Sequence, residues 1–466
     1  MARKFITADY QATLDLEISL REALPPDHLA HFIVEVVAEL DLSRIYRAYG
    51  QTGAPPYAPE ILLDLLFYGY ATGIYSSRKI EAATRYSIPF RFIAGNLHPD
   101  HDTIATQSKR FLDELKDLFV QILLIAQAMG LLEVGDISID GTKIHASASK
   151  HSAMSYKRLL EIEQQLQAEV DHLFQLAAEA DAEAVPEAMD IADEIARREA
   201  RQRQLAEAKV VLEQRAQARY EAEKADYDQK MQERGAQAEA TGKKPQGRAP
   251  KPPEEGPRDK DQYNFTDPDS RIMKNSTDQG FDQHYNAQVA VDHGSLLVLG
   301  CRVSDQANDK QEALPTLDAI PEAVGKPASA SLDNGYFSEA NIEEIQAREV
   351  EPYIATGRQR HHRSWQAYFA ASLDEPSEDA SAKEKMAYKL KTAVGKAIYR
   401  LRKCTVEPVL GIIEEVLGFR QFLLRGMAAG AGEWTLVCLG FNAQADASVR
   451  VWDRCIYSVK AEGILL

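Results

Sequence analysis

The sequence predicts an α/β protein: a sheet interrupted after its first strand by a helical hairpin, with an all-α module in front of it. Three observations lead there. Through residues 1–130 apolar residues recur at three- and four-residue steps, the period of a helix with one buried face. At "LLEVGDISID" the pattern changes to β-branched residues alternating with small or polar ones. After Ser149 a long, charge-dense helical stretch intervenes before strand patterns resume at "HYNAQVAVD".

Within residues 1–130 the longest helical runs are "PEILLDLLFYGYATGI" and "TIATQSKRFLDELKDLFVQILLIAQAMG". Between them "SSRKIEAATRYSIPFRFIAG" opens a short helix on Arg78 and Lys79, cations placed as a helical module places them on a DNA backbone. Residues 131–150 supply the first strand, and the Asp-Gly signal predicts that it ends in a turn at Asp140-Gly141. Residues 151–230 read as an antiparallel hairpin: Leu159, Ile162, Leu166, Val170 and Leu173 form one seam, Pro186 interrupts, and Ile191, Ile195, Leu205 and Leu212 form the other. Residues 231–261 mix Pro, Gly and charge with almost no apolar residues, which predicts an extended linker. Residues 262–466 complete the sheet. "HYNAQVAVD" and "LLVLGCRVS" pair about "HGS", "ASASL" ends at Asp333 before a turn and a helix, "EPYIAT" is a further strand, and a helix-prone stretch carries Glu407.

At 466 residues the chain is long enough for more than one folded unit. Its four cysteines show neither CxxC nor Cys/His spacing, which excludes a zinc module or a disulfide framework and suits a cytoplasmic protein. The apolar stretch from Ile61 to Ile74 contains Asp64 and falls well short of the roughly 20 residues of a membrane span, so no membrane partner is expected. A net charge of −17 argues against nucleic acid only as an average. Residues 161–200 hold twelve Asp/Glu against two Arg, whereas residues 383–403 hold eight Lys/Arg against one Glu.

Two strand-like runs finish on Asp140 and Asp333, and strand ends of α/β sheets border the crevices where ligands and metals sit. With Glu407 they make three hard carboxylates, which suit Mg²⁺ or Mn²⁺, and a pair of such ions serves in-line phosphoryl displacement. Arg358 and Arg360 of "RQRHHR", with the basic run ending at Lys403, predict a phosphate-contacting surface. The adjacent His361-His362 lack the spacing of zinc ligands, and His145 reads as a strand histidine.

Several segments in the right order, "DGTKIHASASKHSAMSY", "DPDSRIMKNSTDQGFDQHYNAQVAVD", "LDNGYFSEANI", "YIATGRQRHH" and "YRLRKCTVEPVLGIIEEVLGFRQFLLRG", resemble the catalytic segments of bacterial insertion-sequence transposases of the DDE class. "YAPEILLDLLFYGYATGIYSSRKIEAATRYSIPFRFIAG" resembles the N-terminal domain of the same family. The resemblance implies an RNase H-like catalytic fold in which Asp140, Asp333 and Glu407 are the catalytic acids and hold two Mg²⁺ ions, with Mn²⁺ able to substitute. It implies that Tyr399 and Arg402 contact transposon-end DNA and that residues 1–130 form a DNA-binding domain. Its partners would be double-stranded DNA, as terminal inverted repeats and as target, and a second copy of the chain at synapsis. The implied reaction is hydrolysis at the element ends followed by attack of the freed 3′-hydroxyl on target DNA. Two departures stand out: Glu414 occupies the place of a family lysine, and "QADASVRVWDRCIYSVKAEGILL" lacks the family's basic ending. They favour an alternative, a transposase-derived DNA-binding protein with reduced or no transposition.

Overall fold

The computed structural model describes residues 5–12, 18–50, 55–179, 190–241, 247–275, 280–357, 375–377 and 379–447. They form two compact units: Met1–Ser147 with Met273–Leu466, and Ala148–Ile272.

The first unit opens with helices α1 (Leu29–Ala38), α2 (Ser43–Arg47), α3 (Pro59–Ala71), α4 (Ser77–Tyr86), α5 (Ile88–Ile93), α6 (His101–Arg110) and α7 (Leu112–Ala128). Caps set their starts: Asp100 accepts from the Thr103 N–H to begin α6, and Pro59 occupies the first turn of α3. α3 is buried on every side, which fits its near-continuous apolar sequence. No described helix is long and apolar enough to cross a membrane.

The six-stranded sheet follows. Its strands are β1 (Asp136–His145), β4 (Arg271–Lys274), β5 (Phe281–Asp292), β6 (Val298–Ser304), β7 (Ser329–Leu332) and β8 (Glu351–Ile354), while β2 (Ala153–Ser155) and β3 (Gln262–Asn264) belong to the second unit. The order is β4-β5-β1-β7-β8 with β6 also on β5. β1 runs antiparallel to β5 and parallel to β7, so the sheet is mixed. The β5–β6 hairpin forms as its alternation predicts. α10 (Ala313–Leu317) and α11 (Glu339–Ala347) flank β7, and α12 (Ala382–Lys389), α13 (Ala393–Leu401) and α14 (Val406–Gly411) come after β8. The long helix α15 (Met427–Ala447) ties this unit together. Fully buried Trp434 donates to Gln288 O of β5, Asn442 donates to Val298 O of β6, and Glu433 accepts from Tyr70 of α3. The N-terminal helices and the sheet thus share one compact unit.

The second unit is the hairpin of α8 (Tyr156–Glu179) and α9 (Ile191–Thr241), built about Leu159, Leu205, Ala208 and Leu212. Ion pairs Glu169–Arg198 and Glu163–Lys209 fix its antiparallel register. Pro186 lies outside the described residues. The β2–β3 pair closes the base. The segment expected as an extended linker begins as helix, since α9 continues to Thr241, while residues 247–261 carry neither helix nor strand and are tied to α9 through Arg258–Glu223 and Asp261–Arg219. Ala, Glu, Gln and Lys have high helix propensity, so the helix continues to Thr241 without an apolar stripe.

Candidate active site

The pleat of β1 turns Ser138, Asp140 and Thr142 to one face and Gly141 and Lys143 to the other. Its parallel pairing with β7 ends at Ile139 opposite Leu332. Asp140 and Asp333 are therefore the next residues on two neighbouring strands. The expected turn at Asp140-Gly141 is absent: β1 runs on to His145, paired with β5 and, at His145, bridged to Gln421. Gly141 lies opposite Gln288, and a Cβ there would overlap the Gln288 side chain, so this glycine serves close approach and not a turn. The turn is at Asp333, whose Oδ1 accepts the Gly335 N–H at 2.6 Å to cap the 3₁₀ turn Asn334–Tyr336.

On the Asp140 face, a segment from Arg402 to Glu414 docks on each alternate residue of β1. Thr405 Oγ1 donates to Ser138 Oγ at 3.2 Å, Arg402 Nη1 donates to Asp140 Oδ2 at 2.8 Å, and Thr142 Oγ1 donates to Glu414 Oε1. Arg402 Nη1 also lies 3.3 Å from Glu407 Oε1. One guanidinium thereby links Asp140 to Glu407. The local fold explains its reach: Thr392 caps α13, the helix ends at Leu401, and the 3₁₀ turn Arg402–Cys404 aims Arg402 at the strand. Tyr399, in the last turn of α13, interacts electrostatically with Arg402, and burial raises its phenol. Asp140 Oδ1 accepts the Gly141 N–H at 2.9 Å. Burial pushes the Asp140 carboxyl up to about 6; Arg402 opposes the rise, while Asp333 and Asp309 add to it.

Asp309, Asn286, Gln288, Lys143 and Tyr336 form a polar cluster around the opposite face, and none of them stood out in the sequence. Asp309 Oδ1 accepts from Asn286 Nδ2 at 2.7 Å and Gln288 Nε2 at 3.0 Å, with Lys143 Nζ 3.5 Å away. Burial pulls the Lys143 ammonium down, and Asp309 counters this. Asp309 sits in "SDQANDKQE", a loop whose composition carries no signal beyond turn preference. Only the alternation of polar Asn286 and Gln288 inside a buried strand hinted at a polar face.

The remaining predicted residues lie on other elements. Arg78 and Lys79 are exposed in the first turn of α4, and Lys403 is exposed beside Arg402. Arg358, Arg360, His361 and His362 lie outside the described residues. Glu414, which occupies the place of a family lysine, lies in a single π-helical turn, Ile412–Val416, and accepts from the Thr142 hydroxyl. Among the described residues no three His, Cys, Asp or Glu stand at metal-holding spacing. The donors are nevertheless all carboxylate oxygens, the chemistry of a hard divalent cation, and Arg402 supplies positive charge between two of them.

Searches of curated proteins and of solved structures give no match to the chain. Family models do match: residues 18–110 fit the Transposase domain (DUF772), and residues 255–443, which contain Asp333, Arg402 and Glu407, fit the Transposase DDE domain. With a transposase domain model matching its N-terminal part and a transposase DDE domain model its C-terminal part, the chain belongs to the insertion-sequence DDE transposases.

Proposed function

We propose that the chain cuts the ends of its own element and joins them to target DNA, using Asp140, Asp333 and Glu407 on an RNase H-like sheet. The observation that carries this reading is the adjacency of Asp140 and Asp333 beyond the last β1–β7 pair, with Glu407 joined to Asp140 through Arg402. The three carboxylates would hold Mg²⁺ or Mn²⁺, two ions in the full site, which would activate the attacking oxygen and stabilise the leaving one. For these acids to serve, Arg402 leaves Asp140 and Glu407 for a DNA phosphate, a planar fork suited to that partner. Tyr399, which neighbours the guanidinium, would join it on the end duplex.

The basic run around Lys403, with Arg358 and Arg360, would position the end duplex, and Arg78 and Lys79 would meet its backbone farther along. Paired-end cleavage calls for two copies of the chain at synapsis. The test is cleavage of a plasmid carrying the inverted repeats that flank the gene, in Mg²⁺ and in Mn²⁺. Site-specific nicks at both ends with a free 3′-hydroxyl are expected. Equal cutting in chelator would sink the reading.

A second reading, an end-binding protein that no longer transposes, is favoured by Glu414, a carboxylate where the family carries an ammonium. A gel-shift with the same end duplex separates the two: binding without cleavage in Mn²⁺ selects the second.

A further inference from the structure

We propose that Asp309 is a positioning residue that fixes the spacing of Asp140 and Asp333 from the far face of β1. The inference rests on the active-site reading above and deepens it.

Two amide donors and a cation from two strands converge on this single carboxylate: Asn286 and Gln288 of β5 donate hydrogen bonds, and Lys143 of β1 forms an ion pair at 3.5 Å. Gln288 is fully buried and passes the constraint on in two directions. Its Oε1 accepts from the Tyr336 hydroxyl at 2.5 Å, and its amide lies against Gly141, the residue after Asp140. Tyr336 is itself fully buried and is the last residue of the turn that Asp333 caps. The Asp309 carboxylate also borders that turn directly, with Oδ2 3.6 Å from where a Cβ of Gly335 would lie. The chain Asp309–Gln288–Tyr336 therefore connects the neighbour of one aspartate to the turn of the other. Charge matters as well as shape. A carboxylate accepts from several donors at once, whereas an amide at the same place turns one edge into a donor facing donors.

Asp309 touches neither Asp140 nor Asp333 by hydrogen bond, so its effect should appear in how the acids bind a cation, not in DNA affinity. The experiment is a Mn²⁺ titration of the full chain, free ion followed by electron paramagnetic resonance, on wild type, Asp309→Asn, Asp309→Glu and Tyr336→Phe, beside thermal unfolding and binding of the end duplex. Asp309→Asn is expected to weaken Mn²⁺ binding at least five-fold, with Asp309→Glu restoring part of the loss and duplex affinity unchanged. Tyr336→Phe, which removes a single hydroxyl, is expected to shift Mn²⁺ binding in the same direction by a smaller factor. If Asp309→Asn does not fold, Tyr336→Phe decides the matter. Wild-type Mn²⁺ binding in the folded variants would overturn the proposal, as would a loss confined to the unfolding temperature. Asp140→Asn serves as the control. If it too binds Mn²⁺ like wild type, the active-site reading fails; if it alone weakens binding, only the role of Asp309 does.

Discussion

Asp140-Gly141 and Asp333-Asn334-Gly335 are nearly the same word in the sequence, yet the chain does opposite things after each. After Asp333 it turns, and Gly335 gives its N–H to the aspartate. After Asp140 it runs straight for five more residues, and Gly141 gives up its side chain to make room for Gln288. The Asp333 charge still acts on Asp140, because what ends beside Asp140 is the pairing with β7 and not the strand itself. An aspartate can therefore reach the mouth of a sheet by a turn or by outliving its neighbour. The second route leaves more strand beyond the site, and Thr142 uses it to hold Glu414.

If the two aspartates are chemically equivalent despite this, Asp140→Asn and Asp333→Asn should each reduce end cleavage by about a thousand-fold, roughly 4 kcal/mol of lost transition-state stabilisation. A quantitative plasmid-nicking assay checks it. Near-wild-type cutting by either variant would break the equivalence.

The two glycines should then part company in stability. Alanine at Gly141 drives a methyl into Gln288, which is buried and held through Asp309, Asn286 and Tyr336, so it cannot swing aside. Overpacking of this kind costs about 3 kcal/mol. Alanine at Gly335 presses on Asp333 Oδ1, at 2.9 Å, and otherwise makes ordinary contact with Asp309, at an exposed turn, and the loss should be under half as large. Denaturant unfolding of the two variants measures the difference directly.

Next comes the cost of keeping Asp140 charged. Its carboxyl is raised from 3.8 to about 6 by burial, with Asp333 and Asp309 adding to the rise. The fold therefore holds that proton more tightly than the unfolded chain does. The associated stability is complete below pH 3.8 and is lost as pH climbs through about 6. In metal-free protein Asp140→Asn should be more stable than wild type at pH 8 by about 3 kcal/mol, with most of the advantage gone at pH 4. Melting curves at the two pH values would show it, and a gap independent of pH would contradict it.

How much of this was readable in advance follows the range of the interactions. The β5–β6 hairpin, the strand before Asp333 and the helical start are local patterns, and they stand in the structure as read. The family resemblance brought Asp140, Asp333, Arg402 and Glu407 into one set although they are far apart in the chain. Composition did not disclose that Gly141 sits mid-strand, since Asp-Gly is a turn signal wherever it occurs. Nor did it disclose Asp309 or Tyr336, because their meaning lies in Gln288, a residue of another strand. Arg402 was expected to face DNA; without DNA its partners are the acids themselves.

That pairing sets a smaller prediction. Arg402→Met removes the cation shared by Asp140 and Glu407, so two carboxylates lose their compensating charge. Mn²⁺ affinity of the DNA-free protein should rise about ten-fold, close to 1.4 kcal/mol, while affinity for the end duplex falls. Calorimetric titration with Mn²⁺ tests it. An unchanged affinity would mean that Arg402 does not compete with the cation.

The smallest effect belongs to Glu414, the tie that only the continuing strand can make. Glu414→Lys gives up the Thr142 hydrogen bond, a loss of about 1 kcal/mol of stability. It also places an ammonium on the face of β1 that carries Asp140, where the family has one. The end duplex should then bind several-fold more tightly, and the gain should shrink as salt rises, because an added phosphate contact releases one more counterion. Duplex binding at two salt concentrations separates the outcomes. A gain that ignores salt would assign the change to the lost Thr142 contact, and no gain at all would place this face of the strand away from DNA.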